Sequence, residues 1–278
     1  MTGNAPGPRV RRALRRILPA PVRASLQPLA RRTVDRGSVT GAEASLRKLL
    51  APYVPRDHAR QVGAQYYLDL LMGRDPQPQV VMDLGCGTGD SVELFRTHNP
   101  GVDWVGVDIP ASPEVRARQR TDARFVTYDG RTLPFKNGTF DLIYSQQVLE
   151  HVRYPAVHLA EIRRVLRPGA ALVGSTSQLE PYHSRSLWNY TPFGFAELVA
   201  EAGLTLEELR PGLDGVTLTL RSYLDRPDGF VRWWLEDSPL NALIDAWARE
   251  TDRSPEEVNI RKLQYAGQFA FLVRRPSR

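Results

Sequence analysis

The chain has 278 residues, 42% of them hydrophobic, enough for a packed core in one large domain or two small ones; a wholly disordered protein is excluded. Its single cysteine, Cys86, excludes an internal disulfide and fits a reducing compartment, and no run of 18 apolar residues offers a membrane-spanning helix. The net charge of +6 hides an asymmetry: residues 1–40 hold nine arginines and one acid, or +8, while the remainder holds 28 bases and 30 acids, or −2.

In chain order, residues 1–40 form a basic arm. Val10, Ala13, Leu14, Ile17 and Leu18 recur at helical spacing with Arg11, Arg12, Arg15 and Arg16 opposite, until Pro19, Pro21 and Pro28 break the pattern. The arm lacks an uninterrupted apolar core and a cleavage site, so it is not read as a secretory signal, and a cytoplasmic location is expected. A short arginine-rich helix can lie on an anionic surface, so residues 9–32 suggest peripheral contact with the inner face of a membrane. The same charge suits RNA phosphates, with a steep salt dependence, or simply a solvated arm.

Residues 41–54 and 57–72 read as two helices on the substrate side, within a segment ending near residue 75. Their apolar positions are Leu46, Leu49 and Leu50, then Tyr67, Leu68, Leu70 and Leu71. From 76 to 278 short apolar strands alternate with helices. Strands are predicted at 79–84, 103–108, 124–128, 140–145 and 170–176, with helices near 89–97, 112–120 and 155–166 between them. That alternation implies a parallel sheet with helices on both faces. Pro168-Gly169 is expected to end the helix carrying "EIRRVL". Thr191 and Pro192 open a helix that Gly203 closes. The tail offers strands at 205–209, 215–220 and 267–273, with helices at 228–236 and 239–250 inside a helical insertion of about 224–262.

The chemistry concentrates in "VVMDLGCGTGDS", residues 80–91, where a strand breaks into Gly85, Gly87 and Gly89 before a helix. Backbone without Cβ atoms allows positive φ and close approach of a ligand. A dinucleotide fingerprint needs glycine where Asp90 stands, and the G-K-[ST] of a phosphate loop is absent. Asp83 and Asp90 would repel a diphosphate, so a ligand with a cationic centre suits the loop better. Asp108 ends the next strand, placed to accept both hydroxyls of a ribose, and Asp129 ends the third, placed to accept from an adenine amino group. Three acids at the carboxyl ends of successive strands mark the edge where open α/β sheets bind ligands.

"VVMDLGCGTG", "VGVD", "YDGRTLPFKNGTFDLIYSQQVLEHV" and "LAEIRRVLRPGA" together resemble the motifs of class I S-adenosylmethionine-dependent methyltransferases of the small-molecule, type 11 kind, strongly over about 78–176 and weakly elsewhere. The resemblance implies a Rossmann-like α/β fold with a seven-stranded, mostly parallel sheet and an antiparallel last strand. The N-terminal helical extension and C-terminal helical insertion would be additions to it. It implies S-adenosylmethionine as cofactor. Asp83, Gly85, Cys86, Gly87 and Gly89 would lie around the methionine part, Asp108 at the ribose, Ile109 against the adenine, and Asp129 with Gly130 at its edge. Ser145 and Gln146 would line the methyl-donor cavity. "RPGA" replaces the commoner "RPGG" at little consequence.

An acceptor hydroxyl also needs a base. His151 falls just past the fourth strand and His183 just past the fifth, and both are catalytic candidates. Glu180, Tyr182, Trp188 and Tyr190, in "EPYHSRSLWNY", are candidate substrate contacts whose flat rings suit a sugar or an aromatic acceptor. No metal-ligand spacing is visible in the sequence, so no metal is expected. "SQQV" departs from the [D/N]-P-P-[FY] loop of nucleobase amino methylation, and nucleic acid is disfavoured as acceptor. The leading expectation is O-methylation of a small molecule or a glycan, lipid-linked if the arm meets a membrane. C-methylation of a quinone-like acceptor, RNA methylation through the arm, and a non-catalytic scaffold are the alternatives. Oligomeric state is not readable.

Overall fold

A computed structural model describes residues 45–277; the basic arm and the start of the 41–54 helix lie outside them. Residues 45–50 are helical. The chain then runs through α1 (Ala64–Met72), β1 (Val80–Leu84), α2 (Ser91–His98), β2 (Asp103–Asp108), α3 (Pro113–Ala117), β3 (Arg124–Thr127) and β4 (Phe140–Gln146). A 3-10 turn at Leu149–His151 precedes α4 (Pro155–Val165), β5 (Leu166–Ser177), α5 (Pro192–Glu201), β6 (Thr205–Pro211) and α6 (Gly215–Tyr223). A second 3-10 segment (Asp228–Trp234), α7 (Pro239–Thr251), α8 (Pro255–Tyr265) and β7 (Gln268–Arg274) complete it.

The seven strands order as β3-β2-β1-β4-β5-β7-β6, and β7 runs antiparallel between β5 and β6. Both faces of the central strands are covered, which is why "VVMDL" and "LIY" read as continuous apolar runs rather than alternating ones. Met82, Leu84, Ile143 and Phe271 enter one buried cluster, and Val81, Leu142, Tyr144 and Leu272 the other. The order reverses at β1, whose neighbours are β2 and β4, so the crevice at the carboxyl ends opens beside β1.

Several predicted elements differ. Residues 57–63 are not helical: Asn259 Nδ2 donates to the carbonyls of Pro55 (3.1 Å) and His58 (2.8 Å), and Lys262 Nζ to that of Ala59 (2.6 Å), so these carbonyls serve buried side chains instead of helix bonds. The predicted strand 215–220 is helix α6. Its alternating V-T-L-T-L is overridden by Asp214, whose carboxylate accepts from Thr217 N at 2.7 Å and Thr217 Oγ1 at 2.8 Å. Helix α4 stops at Val165, and the Pro168-Gly169 pair sits inside β5 at a register shift, with Gly169 at φ +79°. Helix α8 was not predicted, although Ser254 and Glu257 form a complete capping box at its start.

Candidate functional site

The glycine loop leaves β1 with Gly85, Gly87 and Gly89 at φ +80°, +49° and +90°. A Cβ on Gly85 would lie 2.2 Å from Val148 Cγ2, and one on Gly89 2.7 Å from the Phe125 ring, so the loop is a surface only glycine can form. Asp108 at the end of β2 accepts from Gly87 N (2.9 Å) and Ile109 N (2.7 Å), joining the loop to the ribose candidate. Asp129 accepts from Arg131 N (2.8 Å) and Thr132 N (2.7 Å) through one carboxylate oxygen, which lowers its pKa. Gly130, at φ +78°, faces Ile109: a Cβ there would meet Ile109 Cγ2 at 3.7 Å, while Ile109 is 41% exposed. The exposed apolar side chain of Ile109 and the bare Gly130 backbone thus lie side by side as one open ledge.

Asp83 is buried, and Ser91 Oγ donates to it at 2.5 Å. Burial pushes its carboxyl up to about 7, with Asp108 and Asp90 adding repulsion. A buried carboxylate without a cation at hand is the electrostatic counterpart of a cationic ligand. Cys86 is buried and its thiol is pushed up to about 12, chiefly by burial, so it packs rather than reacts. Sequence reasoning missed Arg118. Its Nε and Nη2 donate to Gly87 O at 2.9 and 2.6 Å while its guanidinium lies 3.9 Å above the Phe125 ring. That grip is why α3 ends at Ala117 rather than near residue 120.

At the carboxyl ends of β4 and β5 the fold joins residues distant in sequence. Ser145 is fully buried, its hydroxyl without a partner among the described residues, and Gln146 beside it is exposed. The 3-10 turn carries Glu150 and His151; the loop after β5 carries His183. The His151 and His183 rings stand edge to face, 5.4 Å between centroids. Glu150 is fully buried, accepting from Thr176 Oγ1 (3.0 Å) and Ser177 Oγ (3.3 Å), and burial raises its carboxyl to about 7. Burial lowers the pKa of His151. The expectation of no ligand cluster needs correcting: one ligand atom each from Glu150, His151 and His183 lie within 4.8 Å of one another. Spacing along the chain could not show this, because the β4–β5 pairing creates it.

The candidate acceptor contacts divide. Tyr190 is buried and donates to Leu149 O at 2.9 Å, which makes it a brace for the 3-10 turn. Trp188 donates from Nε1 to Val152 O at 2.8 Å and leaves its ring 45% exposed. Tyr182 is exposed, and Glu180 is held by Ser177 Oγ (2.6 Å) and Gln268 Nε2 (2.8 Å). Leu179, one residue before Glu180, opens onto a cavity of about 340 Å³ completed by Gly215, Val216, Thr219, Leu220 and Tyr265.

Residues 82–174 match the family described as a methyltransferase domain. The chain is 28% identical over 187 residues to 2-methyl-6-phytyl-1,4-hydroquinone methyltransferase of Synechocystis sp., covering 57% of this chain and 58% of that protein. It is 36% identical over 96 residues to demethylmenaquinone methyltransferase of Renibacterium salmoninarum, covering 34% and 40%. The chain thus spans about half the length of the curated relatives it matches. Phosphoethanolamine N-methyltransferase 2 of Haemonchus contortus, solved with S-adenosyl-L-methionine, shares the fold at a TM-score of 0.51 and 16% identity, over 77% of this chain and 52% of that one. Among the described residues no helix is long and apolar enough to cross a membrane.

Proposed function

We propose that this chain, which carries a class I S-adenosylmethionine-dependent methyltransferase domain over residues 82–174, methylates a hydroxyl of a small molecule. The carrying observation is the row of Asp83 next to last in β1, Asp108 ending β2 and Asp129 two residues past β3, around a glycine loop that no side chain can occupy. These residues fit the donor: the buried Asp83 suits its cationic methionine part, Asp108 its ribose, and the exposed Ile109 beside Gly130 one face of its adenine. When bound, S-adenosylmethionine supplies a sulfonium methyl group that is already electrophilic. The chain's contribution is to hold an acceptor in line with that group and exclude alternatives, the term that dominates when reactants are pre-oriented. The paired rings of His151 and His183 support a role in taking the proton of an acceptor hydroxyl, and the exposed Trp188, bonded to Val152 O, supports a flat acceptor contact.

A second reading, methylation of a quinone-like ring, is favoured by the cavity beginning at Leu179, which suits an apolar acceptor tail, and by the two quinone-acting relatives. A glycan or lipid-linked acceptor would bring the arm at 9–32 to a membrane surface. The test is transfer of labelled methyl from S-adenosylmethionine to a panel of phenols, hydroquinones with and without prenyl tails, and saccharides. Ether products support the first reading, and ring-carbon products the second. Failure of the full chain to bind the donor in calorimetry would remove both and favour a scaffold.

A further inference from the structure

We infer that Glu150, His151 and His183 form a site for one divalent first-row transition ion, of the Zn2+ or Mn2+ type, beside the donor crevice. The donor set is two imidazoles and one carboxylate with positions left open, a set that suits such ions and leaves room for a further oxygen ligand. Three observations point to an ion rather than to packing. The first is charge: Glu150 is fully buried, its side-chain partners are neutral (the hydroxyls of Thr176 and Ser177 and the amide nitrogen of Gln147 at 2.8 Å), and no lysine or arginine pairs with it among the described residues. A carboxylate so placed lacks the counter-charge that burial ordinarily demands.

The second is the fixing of the imidazoles. His183 Nδ1 lies 3.2 Å from the carbonyl of Pro181, with a Glu180 oxygen 3.7 Å away, so Nδ1 holds the proton and Nε2 keeps a lone pair. The backbone of Arg185 hydrogen-bonds the His151 ring. Both rings are therefore braced by the 180–186 loop, the arrangement that orients metal-bound histidines from behind. The third is proximity: the three ligand atoms lie within 4.8 Å of one another. Around an ion with ~2.1 Å bonds, tetrahedral ligands sit ~3.4 Å apart, so the set must close by at most about 1.4 Å. His183 stands on a loop with exposed neighbours at Ser184 and Arg185, which can supply that movement.

The role of the ion rests on the proposed hydroxyl methylation. An ion held there offers its open position to the acceptor oxygen, which then releases its proton to solvent at a lower pH. That assigns the specificity of the site to acceptors with an ionisable hydroxyl.

The test is direct. The full chain, stripped with chelator and dialysed against Zn2+, Mn2+ or Mg2+, is analysed for bound metal. Co2+ is added to a further sample as a visible-absorption probe of nitrogen and oxygen ligation. One ion per chain and a Co2+ spectrum are expected for the wild type, with affinity at least tenfold weaker in Glu150→Gln and in His183→Ala. The His183 side chain is partly exposed, so its variant keeps the test valid if the buried Glu150 variant fails to fold. A wild type that holds no ion, or variants that hold it as tightly, overturns the site. Calorimetry of donor binding to the stripped chain is independent of this: loss of donor binding there counts against the methyltransferase reading and leaves the metal result to be judged alone.

Discussion

Asp83 offers the most quantitative test of the donor crevice. Its ordinary pKa of 3.8 rises to about 7 in the folded chain, first through burial and then through Asp108 and Asp90, with the Ser91 hydroxyl opposing. Tyr144 and Cys86 are the other titratable groups against it, and burial pushes both still higher than their ordinary values, so neither changes charge between pH 4 and pH 8. A raised acid binds a proton in the native state that the unfolded chain has already lost. Its stabilisation is therefore full below pH 3.8 and disappears as pH rises through about 7. At 1.36 kcal/mol per tenfold, the separation corresponds to about 4 kcal/mol. Asp83→Asn keeps an oxygen to accept from Ser91 and cannot ionise. Urea unfolding of both proteins should show the wild type losing up to about 4 kcal/mol relative to the variant, spread evenly from about pH 4 to about pH 7 and levelling off above it. A cationic donor that pairs with Asp83 should bind more tightly as pH rises through 7 and should release a proton on binding, seen as a buffer-dependent calorimetric enthalpy. A stability difference that stays flat with pH would refute the claim that Asp83 is buried without a cation, and with it the electrostatic argument for the crevice.

Gly85→Ala places a methyl 2.2 Å from Val148 at φ +80°; a thermal melt should show a loss of about 2 kcal/mol or more, and calorimetry should find donor binding reduced beyond tenfold even when Val148→Ala relieves the clash. Arg118→Ala frees the Gly87 carbonyl, and the donor Kd should rise about tenfold, or ~1.4 kcal/mol, with little change in melting temperature; unchanged affinity would deny Arg118 a part in holding the loop. Lys262→Met strands Asp245, whose oxygen lies 2.8 Å from the buried Nζ, and urea titration should find the chain about 3–5 kcal/mol less stable. Removing residues 1–35 should abolish partition onto anionic vesicles and leave donor affinity unchanged; vesicle binding equal to that of the full chain would dismiss the arm as a membrane contact.

The glycine loop and the acids proposed to hold the donor were legible in the sequence because their signal is local. A strand, a glycine loop and a helix follow one another within 12 residues, and each later acid ends its own strand. Local signals failed where a tertiary partner outweighed them. Residues 57–63 carry an acceptable helical pattern, yet Asn259 and Lys262, some 200 residues away, take their carbonyls. Residues 215–220 alternate like a strand, and one capping carboxylate makes them a helix. The Ser254–Glu257 box was legible and overlooked; its signature is S-P-E-E ahead of an apolar face. Arg118 and the Glu150–His151–His183 cluster carry no local mark, since each depends on neighbours set by strand order.

The same contrast separates what holds the fold from what selects the acceptor. The segment at 55–63 is tied to the C-terminal helices by polar bonds. Besides Lys262 and Asn259, Gln61 donates to Trp233 O (2.7 Å) and accepts from Asn241 Nδ2 (2.7 Å), and the nearly buried Arg210 pairs with Asp57 at 2.9 Å. Polar pairs of this kind fix geometry more than they stabilise, because desolvation offsets most of their attraction. Asp214, which caps α6, accepts from Leu240 N at 3.3 Å, and α6 packs on the segment after β5: a Cβ on Gly215 would meet the Leu179 carbonyl at 2.8 Å. Leu179 immediately precedes Glu180 and the loop of His183. Under the proposed function, acceptor choice would follow from this tertiary arrangement, whereas the proposed donor contacts begin in one stretch of the chain. Relatives that share the donor stretch can differ in acceptor without any change in residues 82–108.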